Sequence, residues 1–198
     1  MDPSESTEVI GVLFRPGAGR MFFPVAVHEL QNNDVALHDL FPSEADRLLN
    51  ELCFARGENA QFSVVERYLS RKLADAIPMH RAVKYAVEQL SSEDALRGVR
   101  KIQLDTGFSH TRFIQLFREQ VGLTPKLFGR VRRFHAVTGR VEKGLPVNWA
   151  ELAADCGYFD QAHLIHDFRE FAGVTPLEFS KGAREKDLRV LAATASHS

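Results

Sequence analysis

The chain has 198 residues, 44% hydrophobic and 26% charged, with a formal net charge of −1. That length allows one or two small domains with a buried core, and the small net charge excludes a chain-wide attraction to a polyanion. No apolar run is long enough to span a bilayer, the first residues lack a secretory signal pattern, and Cys53 and Cys156 stand far apart outside any CxxC spacing, which together indicate a reduced, cytoplasmic protein.

Charge is unevenly spread. Residues 1–77 hold 7 Lys/Arg against 12 Asp/Glu, a balance of −5, and residues 78–183 hold 15 against 12, a balance of +3. The asymmetry directs attention to the C-terminal half for any nucleic-acid surface. Residues 1–8 are polar and expected to be loose. VIGVLF (9–14) has the pattern of a buried strand, ended by the turn signal RPGAGR (15–20), which lacks the spacing of a phosphate loop. AVHELQN (26–32) suggests a short helix and DVALHDLF (34–41) a second short strand. SEADRLLNELCFA (43–55) opens with Ser43 and Asp46 at capping-box spacing and places Ala45, Leu48, Leu49, Leu52 and Cys53 at helical intervals. AQFSVVERYLSRKLADA (60–76) predicts a further helix with Phe62, Val65, Leu69 and Leu73 on one side, and Pro78 marks a boundary.

Beyond Pro78 the pattern is helical throughout. MHRAVKYAVEQL (79–90) is followed by 91–106, with Ser92 as N-cap, and by 109–121, capped by Ser109. Residues 124–143 start from Thr124 as cap and Pro125 in the first turn. Then come 147–156, capped by Asn148, 160–172, capped by Asp160, and a closing TPLEF segment with a fraying tail.

Within this half one pattern occurs twice. Phe117-Arg118-Glu119 aligns with Phe168-Arg169-Glu170, Gly122-x-Thr124-Pro125 with Gly173-x-Thr175-Pro176, and Phe128 with Phe179. Each copy is a short helix, a glycine-containing turn and a capped second helix, which is a helix-turn-helix unit. At about 100° per residue, Phe113, Leu116, Phe117 and Gln120 share one side of the first copy, opposite Thr111, Ile114, Gln115 and Arg118. In the second copy Leu164, Phe168 and Phe171 lie opposite Ala162, Ile165, His166 and Arg169. Two equivalent free faces suit two successive major-groove segments, about 34 Å apart. Between the copies, residues 125–140 as one helix would span about 24 Å. That helix carries Arg130, Arg132, Arg133 and Arg140 for the phosphate backbone. The expected fold is therefore mainly α: two helix-turn-helix subdomains joined by a linker helix, preceded by a small α/β remnant. The domains would be residues 1–77, 78–183 (with units at about 92–122 and 147–173) and a tail, 184–198.

GFSHTRFIQLFREQVGLTPKLF (107–128) and LAADCGYFDQAHLIHDFREFAGVTPLEF (152–179) resemble the double helix-turn-helix domain of the AraC/XylS transcription regulators. The second stretch carries the small residue Ala153, the turn glycine Gly157, the Asp160-Gln161 opening, buried Leu164 and Phe168, and the Gly-x-Thr-Pro ending. The resemblance covers roughly residues 80–182 and implies a bacterial-type transcription regulator that inserts one recognition helix per copy into double-stranded DNA. It places Thr111, Ile114, Gln115, Gln161, Ala162, Ile165 and His166 against the bases. Gln103 and Thr106 depart from the small or aliphatic residues of the family. The N-terminal half is similar to the end of a sensory domain and is expected to be a truncated remnant of one, its effector unspecified.

Gln115 and Gln161 have the chemistry to pair with adenine, His166 with guanine or phosphate, and Ile114 and Ile165 with a thymine methyl. Arg112, Arg118 and Arg169, with Arg132 and Arg133, suit phosphates. Two rival readings use the same residues. In one, the free faces dock onto another regulator or RNA polymerase. In the other, Cys53 accepts an alkyl group, although its place on an apolar helix side predicts a buried, inert thiol. His163-x-x-His166 lacks further ligands for a metal. Trp149, Tyr158 and Phe159 are expected to pack in the core and turn. No paired carboxylates or Ser-His-Asp set points to an enzyme, and neither cofactor nor membrane is expected.

Overall fold

The computed structural model describes residues 9–92, 98–143 and 147–182. In chain order it has 3-10 turns at Ala18–Met21 and Val27–Leu30, then α1 (Leu37–Leu40), α2 (Pro42–Phe54), α3 (Glu58–Ala74) and α4 (Arg81–Ser91). These are followed by α5 (Val99–Asp105), α6 (His110–Val121), α7 (Pro125–Val141), α8 (Trp149–Asp155) and α9 (Gln161–Ala172). The described residues form two compact units, one drawn from Met1–Val87 and His110–Thr124, the other from Glu88–Ser109 and Pro125–Ser198.

The first unit corrects several expectations. Residues 9–14 form no strand, and the described residues contain none. Val9 and Leu13 are 85% and 100% exposed, and a lone strand has no neighbour to take its backbone hydrogen bonds. Phe14 instead rests on Phe22 and Phe23, with ring centroids 4.8 and 5.5 Å away. Leu37–Leu40 is a helical turn rather than a strand and leads into α2. α2 begins at Pro42, whose fixed φ suits the first helical position, so Ser43 lies inside the first turn and is not its cap. Along α3 the buried side chains are Val64 and Tyr68, while Phe62 and Leu73 are half exposed. The stripe is thus rotated from the predicted one, because the large Tyr68 ring turns inward. Cys53 is exposed, not buried. α6 packs on both 3-10 turns, and its buried side chains are Phe113, Leu116 and Phe117. The half-buried Gln120 amide oxygen accepts the His80 backbone N–H at 2.9 Å.

The second unit has its core at Val137, Val141, Leu152, Ala153, Cys156, Tyr158, Leu164 and Phe168, flanked by Phe134, Trp149 and Phe179. Phe134 and Phe179 meet the Phe168 ring edge-on at 4.8 and 5.6 Å. Burying side chains of this size contributes about 1.5–3 kcal/mol each. α9 packs against both α7 and α8. The predicted 91–106 helix is realised as α5 from Val99; residues 93–97 lie outside the described set, and the Ser92 hydroxyl donates backward to the Gln89 carbonyl at 2.8 Å. The repeated Gly-x-Thr-Pro has a backbone cause. Gly122 and Gly173 have φ of +92° and +70°, the left-handed region that ends a helix with least strain in glycine. Thr175 and Glu178 then cap the next helical segment reciprocally, each side chain accepting the other's backbone N–H at 3.3 and 2.7 Å. Those hydrogen bonds hold the Glu178 carboxyl below its usual range.

Candidate nucleic-acid interface

Each copy of the repeat has its helix, glycine turn and second helix. Gly107 and Gly157 stand at equivalent turn positions with φ of +72° and +75°. In the second copy Asn148 caps α8 by accepting from Ala150 N at 3.2 Å. The Tyr158 N–H closes the turn on the Ala153 carbonyl at 2.9 Å, and Asp160 caps α9 by accepting from His163 N at 2.7 Å. In the first copy Gln103 and Thr106 serve the turn. The buried Gln103 amide donates to the Phe108 carbonyl, and the Thr106 hydroxyl donates to the Gln103 carbonyl at 2.6 Å. A polar side chain there substitutes for aliphatic packing by satisfying a turn carbonyl.

On α6 the inward side chains are Phe113, Leu116 and Phe117. Thr111, Arg112, Gln115 and Arg118 are exposed and Ile114 is half-buried. On α9 Leu164, Asp167 and Phe168 are buried, Gln161, Ala162, His166 and Arg169 are exposed, and Ile165 is half-buried. The side chains proposed to face bases are therefore accessible within each unit. Gln115 is engaged along its own helix: its amide donates to Glu119 Oε1 at 2.9 Å, and its oxygen accepts from Arg112 at 3.5 Å. Arg118 and Arg169 form no ion pair among the described residues, although each precedes a glutamate.

The four arginines of α7 divide into two classes. Arg130 donates to Asp167 Oδ1 through Nε and Nη2, at 3.1 and 2.7 Å, and to both Glu170 oxygens through its Nη groups, at 3.0 and 2.5 Å. These bonds, to Glu170 and then Asp167, hold the Arg130 proton more tightly than usual and keep the Glu170 carboxyl below its normal range. Arg140 donates to Asp155 at 2.9 Å. Arg132 and Arg133 have no ion-pair partner among the described residues, and both are half-buried rather than extended into solvent. Arg133 lies 5.3 Å from the Tyr158 ring centre. Burial, with Asp167 nearby, pushes the Tyr158 hydroxyl well above its usual range.

Sequence reasoning missed the Arg130–Asp167–Glu170 link, although its signal was present. When the two copies are aligned on Phe117 and Phe168, Asp167 falls at the position of Leu116. Both are buried, at 1% and 6% exposure, so a carboxylate sits where the first copy has an aliphatic side chain and requires a cation. The same alignment leaves one extra residue in the second turn. Phe159 bulges out at 93% exposure, against the expectation that it packs. His163 turns its ring edge-on to Tyr158 at 5.1 Å. His166 Nδ1 lies 3.8 and 3.9 Å from Asp167 and Glu170, whose oxygens already hold the Arg130 guanidinium.

No helix among the described residues is long and apolar enough to cross a membrane. Among curated proteins and solved structures nothing matches the chain. A family model described as a helix-turn-helix domain matches residues 104–182. That match supports a DNA-binding domain of the AraC/XylS type across those residues, of the kind that regulates transcription.

Proposed function

We propose that this protein is a sequence-specific regulator of transcription that reads double-stranded DNA with α6 and α9 in two successive major-groove segments. In this reading residues 78–183 form the DNA-binding domain, α7 is the linker between its two halves, and residues 1–77 are an accessory region. Gln161, Ala162, Ile165 and His166, with Thr111, Ile114 and Gln115, meet the bases. Arg112, Arg118, Arg169, Arg132 and Arg133 meet the phosphates. The protein works where the DNA is, in the cytoplasm.

The observation that carries this reading is the repeated exposure pattern. Two short helices of the repeat bury aromatic and aliphatic side chains on one side, and each leaves a polar and cationic face open on the other. Arg118, Arg169, Arg132 and Arg133 are unpaired among the described residues. If each neutralises one phosphate, at about −0.9 per contact, the logarithmic salt slope is near −3.6. A rise from 50 to 200 mM salt then weakens binding roughly 150-fold. Selection of bound duplexes from a random pool should recover two short motifs about ten base pairs apart. A flat salt curve, or a pool with no enriched motif, refutes the reading.

A second reading is favoured by the first unit, where Leu49, Phe54, Leu73 and Ile77 are all more than half exposed. Such side chains suit a protein partner, including RNA polymerase, and a pull-down beside the DNA assay separates the two roles.

A further inference from the structure

Within the second unit, α7, α8 and the end of α4 enclose a cleft of about 440 Å3. Its cationic lining is Arg132, Arg133, Arg140 and Lys143, His135 also lines it, and Asp155 is its one acidic residue. Asp155 is bonded to Arg140 at 2.9 Å, so that pair is locally neutral and the charge left over is positive. The Nε atoms of Arg132 and Arg133 are sealed from water and have no hydrogen-bond partner. Buried donors of this kind are rare because each costs about 1–3 kcal/mol, so an anion in the cleft that drew the two guanidinium groups toward it would relieve that cost. The Tyr158 ring stacks near Arg133 and helps fix it in place. The cleft is larger than a bare phosphate and falls in the range of small-molecule sites. Leu90, Ala136 and Gly139 give it an apolar wall beside the guanidinium groups.

From this we infer that the cleft binds a free, multiply charged phosphate compound of small-metabolite size. The phosphate oxygens would be held by the Arg132 and Arg133 forks, and the organic body would lie on the Leu90 and Ala136 wall. Guanidinium groups suit this ligand because their planar donors match phosphate oxygens two at a time. The site lies outside the base-reading faces of α6 and α9. It shares Arg132 and Arg133 with the proposed backbone contacts, so a bound phosphate compound competes with DNA for them, and that consequence alone rests on the DNA-binding reading.

The test is calorimetric titration of the full chain with inorganic pyrophosphate at constant ionic strength, set against sodium chloride. One saturable site per chain is expected. Arg132→Gln with Arg133→Gln abolishes it, and Lys126→Gln with Lys181→Gln, an equal loss of charge outside the cleft, leaves it within about twofold. Gly139 offers a second variant that removes no charge. A Cβ placed there meets nothing within 4 Å, so Gly139→Leu fills the cleft while favouring the helix, and pyrophosphate binding falls at least tenfold. No saturable heat, or binding unchanged in both cleft variants, overturns the inference. A DNA shift assay run in parallel keeps the two claims apart. Pyrophosphate bound by a chain that shifts no DNA supports this site and sinks the proposed function. DNA shifted by a chain that takes no pyrophosphate does the reverse.

Discussion

Replacing Arg130 with Met tests how α9 is held. Asp167 is 1% exposed, and its Oδ2 already has no hydrogen-bond partner. Its Oδ1 depends on Arg130 Nη2 at 2.7 Å, so Arg130→Met leaves a buried carboxylate with no cation. Removing one member of a buried pair costs about 3–5 kcal/mol. Arg130 retains 20% exposure and Glu170 45%, so water relieves part of that, and about 3 kcal/mol is expected. With a urea slope of about 1–3 kcal/mol per M, the midpoint falls by roughly 1–3 M. Trp149 is the sole tryptophan and packs on the second unit's core, so its fluorescence follows the affected unit. The second half of the test is the pair Arg130→Met with Asp167→Leu, which puts at position 167 the residue found at its repeat equivalent, Leu116. Because it strands no charge, the double variant should recover to within about 1 kcal/mol of the parent. A midpoint shift worth less than 1 kcal/mol for Arg130→Met, or a double variant no more stable than the single one, refutes the reasoning.

The same link gives a pH dependence. The Glu170 carboxyl is lowered by its hydrogen bonds from Arg130, so its stabilising contribution is fully present above the unfolded value, about 4.3, and is lost as pH falls through the lowered folded value. Acid unfolding monitored at Trp149 should therefore steepen below about pH 4.3 in the parent and less so in Glu170→Gln. Gln161→Ala with His166→Ala should relax sequence preference in a binding selection while non-specific affinity changes little, each base contact carrying about 1–3 kcal/mol of discrimination. Glu119→Ala frees the Gln115 amide and removes a negative charge from the α6 face, so specific DNA should bind more tightly in a shift assay. Phe168→Ala, at a fully buried ring, should cost about 3–5 kcal/mol in urea unfolding. Titration with a thiol reagent should label one cysteine quickly, the exposed Cys53, and leave buried Cys156 unreacted until the chain unfolds.

The C-terminal half was readable because its signals are local and repeated. Asn148 and Asp160 announce their caps in sequence, positive-φ glycines mark the turns, and Leu164 and Phe168 recur at helical spacing. A helix wheel then separates buried from exposed faces without knowledge of the neighbours. The N-terminal region failed for the opposite reason. A run such as Val9–Phe14 takes strand form only if another strand is present to pair with it, and that is a property of the rest of the fold. On α3 the wheel placed the apolar stripe through Phe62, Val65, Leu69 and Leu73, whereas the buried side chains are Val64 and Tyr68, because the packing partner and not the helix itself decides which side turns inward. Phe159 shows a finer limit. It reads as core by composition, yet one residue too many between Gly157 and Asp160 leaves it no place inside.

Composition was least informative for the α7 arginines, which are identical in sequence and opposite in use. Arg130 and Arg140 are neutralised by Asp167, Glu170 and Asp155, residues 15 to 40 positions away along the chain. Their work is to fix α9 and α8 against α7, and they are poor candidates for phosphate contact, since a phosphate would have to displace a carboxylate already in place. Arg132 and Arg133 form no ion pair among the described residues and so keep their charge available. A net balance of +3 in this half therefore understates its capacity for anions. Three of the twelve acidic residues that lower the total, Asp155, Asp167 and Glu170, lie against Arg130 and Arg140, while Arg132 and Arg133 of α7, Arg118 of α6 and Arg169 of α9 form no ion pair among the described residues. If that partition is right, Arg132→Gln with Arg133→Gln should reduce affinity for every duplex by a similar factor and flatten the salt slope by about two contacts' worth, near 1.8. Arg140→Gln should leave the slope unchanged. A slope that responds equally to Arg140 and to the Arg132–Arg133 pair would mean that ion pairing on α7 does not decide which arginines meet DNA.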